Sequence, residues 1–81
     1  LKGAKLVSAN LEGASLFMAN LEGANLSGAI LEGALAKHAY LVSANLSGAN
    51  LTDADLNYAI MNSAILCNTI MPDGSGIYSG C

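Results

Sequence analysis

The sequence predicts an all-β solenoid, in which the chain winds into stacked coils around one apolar axis. Three observations carry this prediction: a leucine recurs at every fifth residue, an alanine stands two residues before each of these leucines, and the composition is apolar without being aromatic. Hydrophobic residues make up 53% of the 81 residues, aromatic residues 5% and charged residues 11%. A disordered chain would have the opposite balance.

The five-residue register runs without interruption from Leu1 to Met71. Twelve of the fifteen leading positions are leucine, two are methionine and one is Ala36. Thirteen of the fourteen fourth positions, from Ala4 to Thr69, are alanine. On an α-helix these leucines would step by about 140° and form no face. On a continuous strand an odd period would alternate their sides, so the chain must turn by a fixed amount every five residues.

Units of the form A(N/D)LxG, such as ANLEG at 9–13 and ADL at 54–56, give the chain a resemblance to the pentapeptide-repeat family. The resemblance covers residues 1–71. It implies a right-handed, quadrilateral parallel β-helix with four pentapeptides per coil, and hence about 3.5 coils. We therefore expect two parts, a β-helix at 1–71 and a C-terminal turn and tail at 72–81 that caps the last coil.

Ala36 is the one small residue among the inward leucines, and the register is unbroken on both sides of it. Removing leucine bulk from a core costs about 2–5 kcal/mol if the space stays empty. Either neighbouring leucines fill the space, or a small void lies behind this residue and could serve as a binding pocket.

In a twenty-residue coil, residues n and n+20 stack on one of four sides. One side collects the only Phe, the only His and two of the three Tyr against a background of Gly, Ser and Asn. Such a patch marks a protein interaction site, unless its long side chains merely cover the sheet. We call this candidate site the aromatic face; it comprises Phe17, Met18, Leu35, Lys37, His38, Tyr40, Tyr58 and Ile60.

The remaining exposed polar residues predict structural roles. Asn25 lies beneath Asn45, where side-chain amides are expected to hydrogen-bond up the stack. Glu12 stacks with Glu32, and on an open convex surface the pair is interpreted as a solvated acidic strip rather than a catalytic pair.

Catalysis, cofactor binding and metal binding find no support in the sequence. It contains no GxSxG, P-loop or HExxH motif and no Ser/His/Asp set. His38 is the only histidine in the sequence, and Cys67 and Cys81 lack the spacing of metal ligands. The two cysteines either pair as a disulfide in an oxidising compartment or remain two free thiols.

The leading functional hypothesis is a non-enzymatic scaffold or protein–protein interaction module with an unknown protein partner. A net charge of −3 argues against direct nucleic-acid binding. The family resemblance supplies the alternative, a DNA mimic that inhibits a type II topoisomerase. The short rod, low charge and lack of a helical terminal segment argue against it, and a gyrase supercoiling assay separates the two hypotheses.

The ends and the location of the chain give further expectations. No run of about 18 apolar residues predicts a membrane span. No secretory signal is visible, which favours the cytoplasm and leaves the periplasm and the thylakoid lumen open. Leu1 begins in mid-pattern, which predicts a missing N-terminal segment or an end-to-end homo-oligomer.

At the other end, Pro72 is expected to remove a ladder donor and Asp73-Gly74 to form a tight turn, which stops the repeat. Ile77 and Tyr78 would then fold over the last coil as a lid. The segment 70–75 resembles the C-terminal endings of cyanobacterial members of the family.

Overall fold

A computed structural model describes residues 1–74 and 76–77 of the chain. The fold is a quadrilateral parallel β-helix, as predicted. Each fifth-position residue forms a parallel bridge to the residue twenty positions later, from Lys5–Asn25 to Asn50–Ile70. One coil therefore takes twenty residues and has four sides of one pentapeptide each.

A reverse turn joins each side to the next. The N–H of the fourth residue donates to the C=O of the leading residue, as Ala24 does to Leu21 at 3.0 Å. The third residue has a φ between 56° and 70° in the first fourteen pentapeptides. Positive φ at the third residue, within a turn closed in this way, is the pattern of a type II turn. It accounts for the Gly, Ser, Asn and Asp that dominate this position.

Backbone hydrogen bonds between coils use three of the five N–H groups in a pentapeptide. Leu26 donates to the C=O of Asn45 at 2.7 Å and Gly28 donates to that of Ser47 at 2.8 Å. The fifth residue donates in the other direction, from Asn45 to Ala24 at 2.9 Å. Since the fourth N–H closes the turn, only the N–H of the second residue is left for another acceptor.

Where the preceding fifth position is Asn or Asp, its side chain supplies that acceptor. Asn25 Oδ1 accepts from the N–H of Ser27 at 3.1 Å, and Asn45 Oδ1 accepts from that of Ser47 at 3.0 Å. The same bond forms at Asn10, Asn20, Asn50 and Asp55. The expectation that the Asn25 and Asn45 side chains hydrogen-bond to each other up the stack is therefore wrong. Each Oδ1 instead accepts from the backbone N–H two residues further along the chain.

The axis is filled by the leading leucines and the fourth-position alanines. Leu26, Leu46 and Ala44 have no exposed surface. Burial falls toward the first coil, where Leu1 is 64% exposed. The central coils therefore hold the dry core, and they position the outward side chains rigidly.

Two short strands end the described chain. Strand β1 (Thr69–Ile70) pairs antiparallel with β2 (Gly76–Ile77) and also bridges Asn50 of the preceding coil in parallel. Thr69 replaces the usual inward alanine and is fully buried, and its hydroxyl donates to the C=O of Leu46 at 2.7 Å. The chain thus reverses direction along one side of the last coil.

The expectation that Pro72 removes a ladder donor is wrong. Pro72 occupies the second position, where no N–H is used between coils, so its missing N–H costs no ladder bond. Its C=O accepts from the N–H of Asp53 at 3.0 Å, and Gly74 closes the next turn onto Met71 at 2.8 Å. The turn hydrogen bond of the repeat is therefore kept, but the positive φ moves from the third residue to the fourth, Gly74, where it is 86°.

The predicted lid is described only in part. The backbone of Ile77 lies in β2, whereas Tyr78 is outside the described residues. The division into a β-helix at 1–71 and a capping tail at 72–81 stays a prediction.

Candidate interaction face

The aromatic face occupies one side of three successive coils and the edge where that side meets the next. The bridges Leu35–Asp55 and Tyr40–Ile60 set its register along the helix axis. Phe17 and Lys37 stand at second positions, and Met18, His38 and Tyr58 stand at third positions. The twenty-residue coil thus brings together residues that lie up to 43 positions apart in sequence, Phe17 and Ile60.

Three rings from the three coils form a ladder on this face. The ring centroids of Phe17 and His38 are 6.0 Å apart at an interplanar angle of 79°, an edge-to-face contact. His38 and Tyr58 are stacked, with centroids 5.0 Å apart at 12°. Both geometries are those that aromatic pairs prefer, so each ring orients the next.

Exposure separates the two interpretations of this face. Side chains that merely covered the sheet would lie flat on it and be largely buried. Phe17 is instead 56% exposed, Met18 67% and Tyr58 74%. Leu35 and Ile60 are also exposed, and Tyr40 is half-buried. The ladder therefore presents its rings to solvent.

The backbone beneath the ladder is strained at three stacked positions. Met18, His38 and Tyr58 have φ values of 58°, 62° and 63°. A positive φ in a bulky residue is an outlier and costs about 1 kcal/mol or more. Every other third position up to residue 68 holds Gly, Ser, Asp or Asn. A bulky residue at the third position is therefore a further sequence signal for this candidate face, beside its aromatic composition.

The charged groups around the ladder are few. Lys37 is exposed at the centre of the face. Asp55 at its margin accepts hydrogen bonds at Oδ1 from the backbone N–H of Asn57 at 3.1 Å and from its Nδ2 at 2.8 Å. The face therefore combines an apolar centre with one cation and one satisfied carboxylate.

Among the described residues, Glu12, Glu32 and Cys67 lie on other sides of the coils than the aromatic face. Glu12 and Glu32 are exposed, and their coils are joined by a hydrogen bond from Gly13 N–H to Glu32 C=O at 2.9 Å. Cys67 is disulfide-bonded. Cys81 is outside the described residues, so the pairing of the two cysteines stays a prediction.

Neither a metal cluster nor a membrane helix occurs in the part of the chain that the structure describes. No group of three or more His, Cys, Asp or Glu side chains at 1–74 and 76–77 could hold a metal ion. Over the same residues, no helix reaches the length and apolarity that a bilayer crossing requires.

A small cavity of about 10 Å³ lies among the inward side chains of the coils. Ala36 forms part of its wall, and leucine side chains form most of the rest. The sequence left two alternatives at Ala36, filling by neighbouring leucines or a small void. The structure shows a small void that the leucines do not fill completely.

The match to a protein family is also interrupted at Ala36. A family model described as pentapeptide repeats matches residues 1–34 and 37–71 in eight copies. The break between the two matched ranges falls on Leu35 and Ala36, where the leading leucine is replaced. No match was found among curated proteins.

Among solved structures, the chain is similar to a pentapeptide repeat protein from Nostoc PCC 7120. The two are 37% identical with a TM-score of 0.62, over 84% of this chain and 64% of that one. HetL, a pentapeptide repeat protein involved in heterocyst differentiation regulation in the same cyanobacterium, is 42% identical over 95% of this chain and 40% of its own, with a TM-score of 0.36. A pentapeptide repeat protein of the Arabidopsis thaliana thylakoid lumen is 28% identical over 84% of this chain and 58% of its own, with a TM-score of 0.34. The chain spans less than two thirds of the length of each.

Proposed function

Because the chain belongs to the pentapeptide repeat family of right-handed β-helices, we propose that it is a non-enzymatic binding scaffold whose aromatic face docks onto another protein. The observation that carries the proposal is the exposed ladder of Phe17, His38 and Tyr58, in which His38 and Tyr58 stand on strained backbone. Tyr is among the residue types that dominate the binding energy of protein interfaces, and Phe is enriched in interface cores.

The strain supports a binding role because selection for stability alone would remove it. Glycine or asparagine at Met18 or Tyr58 would adopt the same φ at lower cost. The exposed side chains recover little of that cost within the folded chain, since most of their surface faces solvent. A partner that covers them would recover it by burying apolar surface.

The rigidity of the scaffold supports the same conclusion. Each side of a central coil is hydrogen-bonded to the coils above and below, so the backbone beneath the ladder has little freedom to lose on binding. A preorganised surface loses less conformational entropy when it associates. Apart from Lys37 and His38, the side chains of the aromatic face are apolar or aromatic. The face therefore fits a partner protein that presents an apolar patch.

The double substitution Phe17→Ser with Tyr58→Ser tests the proposal. We expect affinity capture from the native organism to recover one specific protein with the unchanged chain and to lose it with the variant, because both outer rings of the ladder are gone. With the purified partner, the Kd should rise at least about tenfold. The far-UV circular dichroism should be unchanged, since neither side chain is part of the core.

A matched control removes two exposed apolar side chains elsewhere on the surface. Val7 is 56% exposed and Ile30 is 42% exposed, and both lie off the aromatic face. The variant Val7→Ser with Ile30→Ser should bind the partner as the unchanged chain does. Equal binding by both double variants, or equal loss in both, would count against the aromatic face.

A further inference from the structure

Lys37 stands at the centre of the aromatic face without a carboxylate beside it. Its side chain is exposed, and its coil lies between the coils of Phe17 and Asn57. In the described part of the chain one salt bridge forms, from Lys2 Nζ to Glu22 Oε1 at 3.1 Å, and it lies on another side of the coils. Docking onto the aromatic face would therefore cover a positive charge that the chain itself does not neutralise.

Asp55, at the margin of the face, does not supply the missing negative charge. Its Oδ1 accepts from the backbone N–H of Asn57 at 3.1 Å and from Asn57 Nδ2 at 2.8 Å. Among the described residues it forms no salt bridge with Lys37. The remaining Asp and Glu residues lie on other sides of the coils. An anionic acceptor for Lys37 must therefore come from outside the chain.

His38 places a second hydrogen-bond donor next to Lys37. The imidazole stacks on Tyr58 with ring centroids 5.0 Å apart, and it meets Phe17 edge-to-face at 6.0 Å. These contacts hold the ring in place, and an imidazole has at least one N–H donor in either protonation state. Because a carboxylate accepts several hydrogen bonds at once, one such group can engage both Lys37 and His38.

A second copy of the chain does not meet this requirement. In a two-fold pairing centred on the aromatic face, Lys37 of one copy would lie opposite Lys37 or His38 of the other. Like charges placed opposite each other across an interface weaken association. An entirely apolar partner is also disfavoured, because a charge that is removed from water without a counter-charge has a large free-energy penalty.

We propose that the partner of the aromatic face is an acidic apolar segment, with an Asp or Glu carboxylate that pairs with Lys37. This inference rests on the docking function proposed above. The carboxylate would accept charge-assisted hydrogen bonds from the Lys37 ammonium and the His38 N–H, while apolar side chains around it cover Phe17, Met18 and Tyr58. Lys37 thus determines specificity, because it disfavours apolar partners that lack an acidic group.

Selection from a phage-displayed library of random linear peptides tests the proposal. On the immobilised unchanged chain, we expect enriched peptides to combine aromatic or aliphatic residues with an Asp or Glu. For these peptides Lys37→Glu should raise the Kd at least about tenfold, and a separate selection on that variant should enrich Lys or Arg instead. Enriched peptides that lack Asp and Glu, or that bind Lys37→Glu unchanged, would overturn the proposal.

Lys5→Glu is the matched control for charge. Lys5 is an exposed lysine on another side of the coils, and its substitution changes the net charge by the same amount. It should bind the enriched peptides as the unchanged chain does, and an equal loss in both charge variants would overturn the proposal. Far-UV circular dichroism should be unchanged in both, because both lysines are exposed.

The double variant Phe17→Ser with Tyr58→Ser separates this proposal from the docking function on which it rests. Peptides that are lost in the double variant but retained by Lys37→Glu would leave the aromatic face as a docking site and remove the acidic partner. If no enriched peptide depends on Phe17 and Tyr58, both proposals fail.

Discussion

Replacing Ala44 by leucine is expected to destabilise the fold by more than about 3 kcal/mol, which exceeds the usual 1–3 kcal/mol for overpacking. Ala44 is fully buried at an inward fourth position, with Ala24 in the coil below. The adjacent backbone is held on both sides, by Asn45 N–H to Ala24 C=O and by Leu46 N–H to Ile65 C=O. The extra carbons therefore cannot be accommodated by a local shift. Urea unfolding followed by far-UV circular dichroism gives the free energy of unfolding.

The same chemical change at Ala36 serves as the control and should have the opposite sign. Ala36 also points inward, but it stands at a leading position beside an existing void. Ala36→Leu fills that void and should stabilise the chain by about 1 kcal/mol. Ala24→Leu repeats the first experiment one coil lower and should resemble Ala44→Leu. A cost below about 1 kcal/mol for Ala44→Leu would contradict the close-packed axis.

The five-residue period was sufficient to predict the core. An inward Leu and Ala in each pentapeptide follow from the failure of helix and strand to bury the pattern, and the burial of Leu26, Leu46 and Ala44 confirms it. The five-residue period does not, however, determine how many residues make one coil. The motif LVSAN recurs after 35 residues and LEG after 10, so twenty residues per coil came from the family resemblance. The angle of each turn sets that number, and no single residue type specifies it.

The hydrogen bonds of the second position could not be predicted before the coil was known. Which N–H groups remain unpaired depends on how neighbouring coils face each other, not on the local sequence. For that reason Pro72 was misjudged as a ladder breaker, and the Asn25 side chain was expected to bond to its stacked neighbour. With the coil known, both residues are explained by one fact, namely that the second N–H does not enter the ladder.

The candidate site, too, could be predicted from the sequence only in part. A coil of twenty residues places Phe17, His38 and Tyr58 side by side. Their proximity can therefore be predicted from the sequence once the coil length is assumed. Whether rings lie flat on the sheet or stand into solvent depends on χ angles and on backbone φ, and the sequence gives neither. Phe17 and Tyr58 are both largely exposed, and of the three ring positions His38 and Tyr58 have a positive φ.

Shortening Leu46 to alanine should cost about 4 kcal/mol, within the 2–5 kcal/mol range of buried leucine-to-alanine changes. Leu46 is fully buried in a central coil. Its C=O accepts from the N–H of Ala49 at 2.9 Å and from the Thr69 hydroxyl at 2.7 Å. These bonds fix the backbone, so the coil cannot relax into the vacated space and the cavity remains. The urea midpoint, measured at constant m-value, reports the loss.

Leu1→Ala is the matched comparison, because Leu1 occupies the same repeat position but is 64% exposed. Its substitution removes little buried surface and should cost less than about 1 kcal/mol. The difference between the two variants measures how strongly the dry axis, rather than leucine content as such, stabilises the solenoid. Equal costs at the two positions would mean that the axis does not close around the central coils as the structure shows.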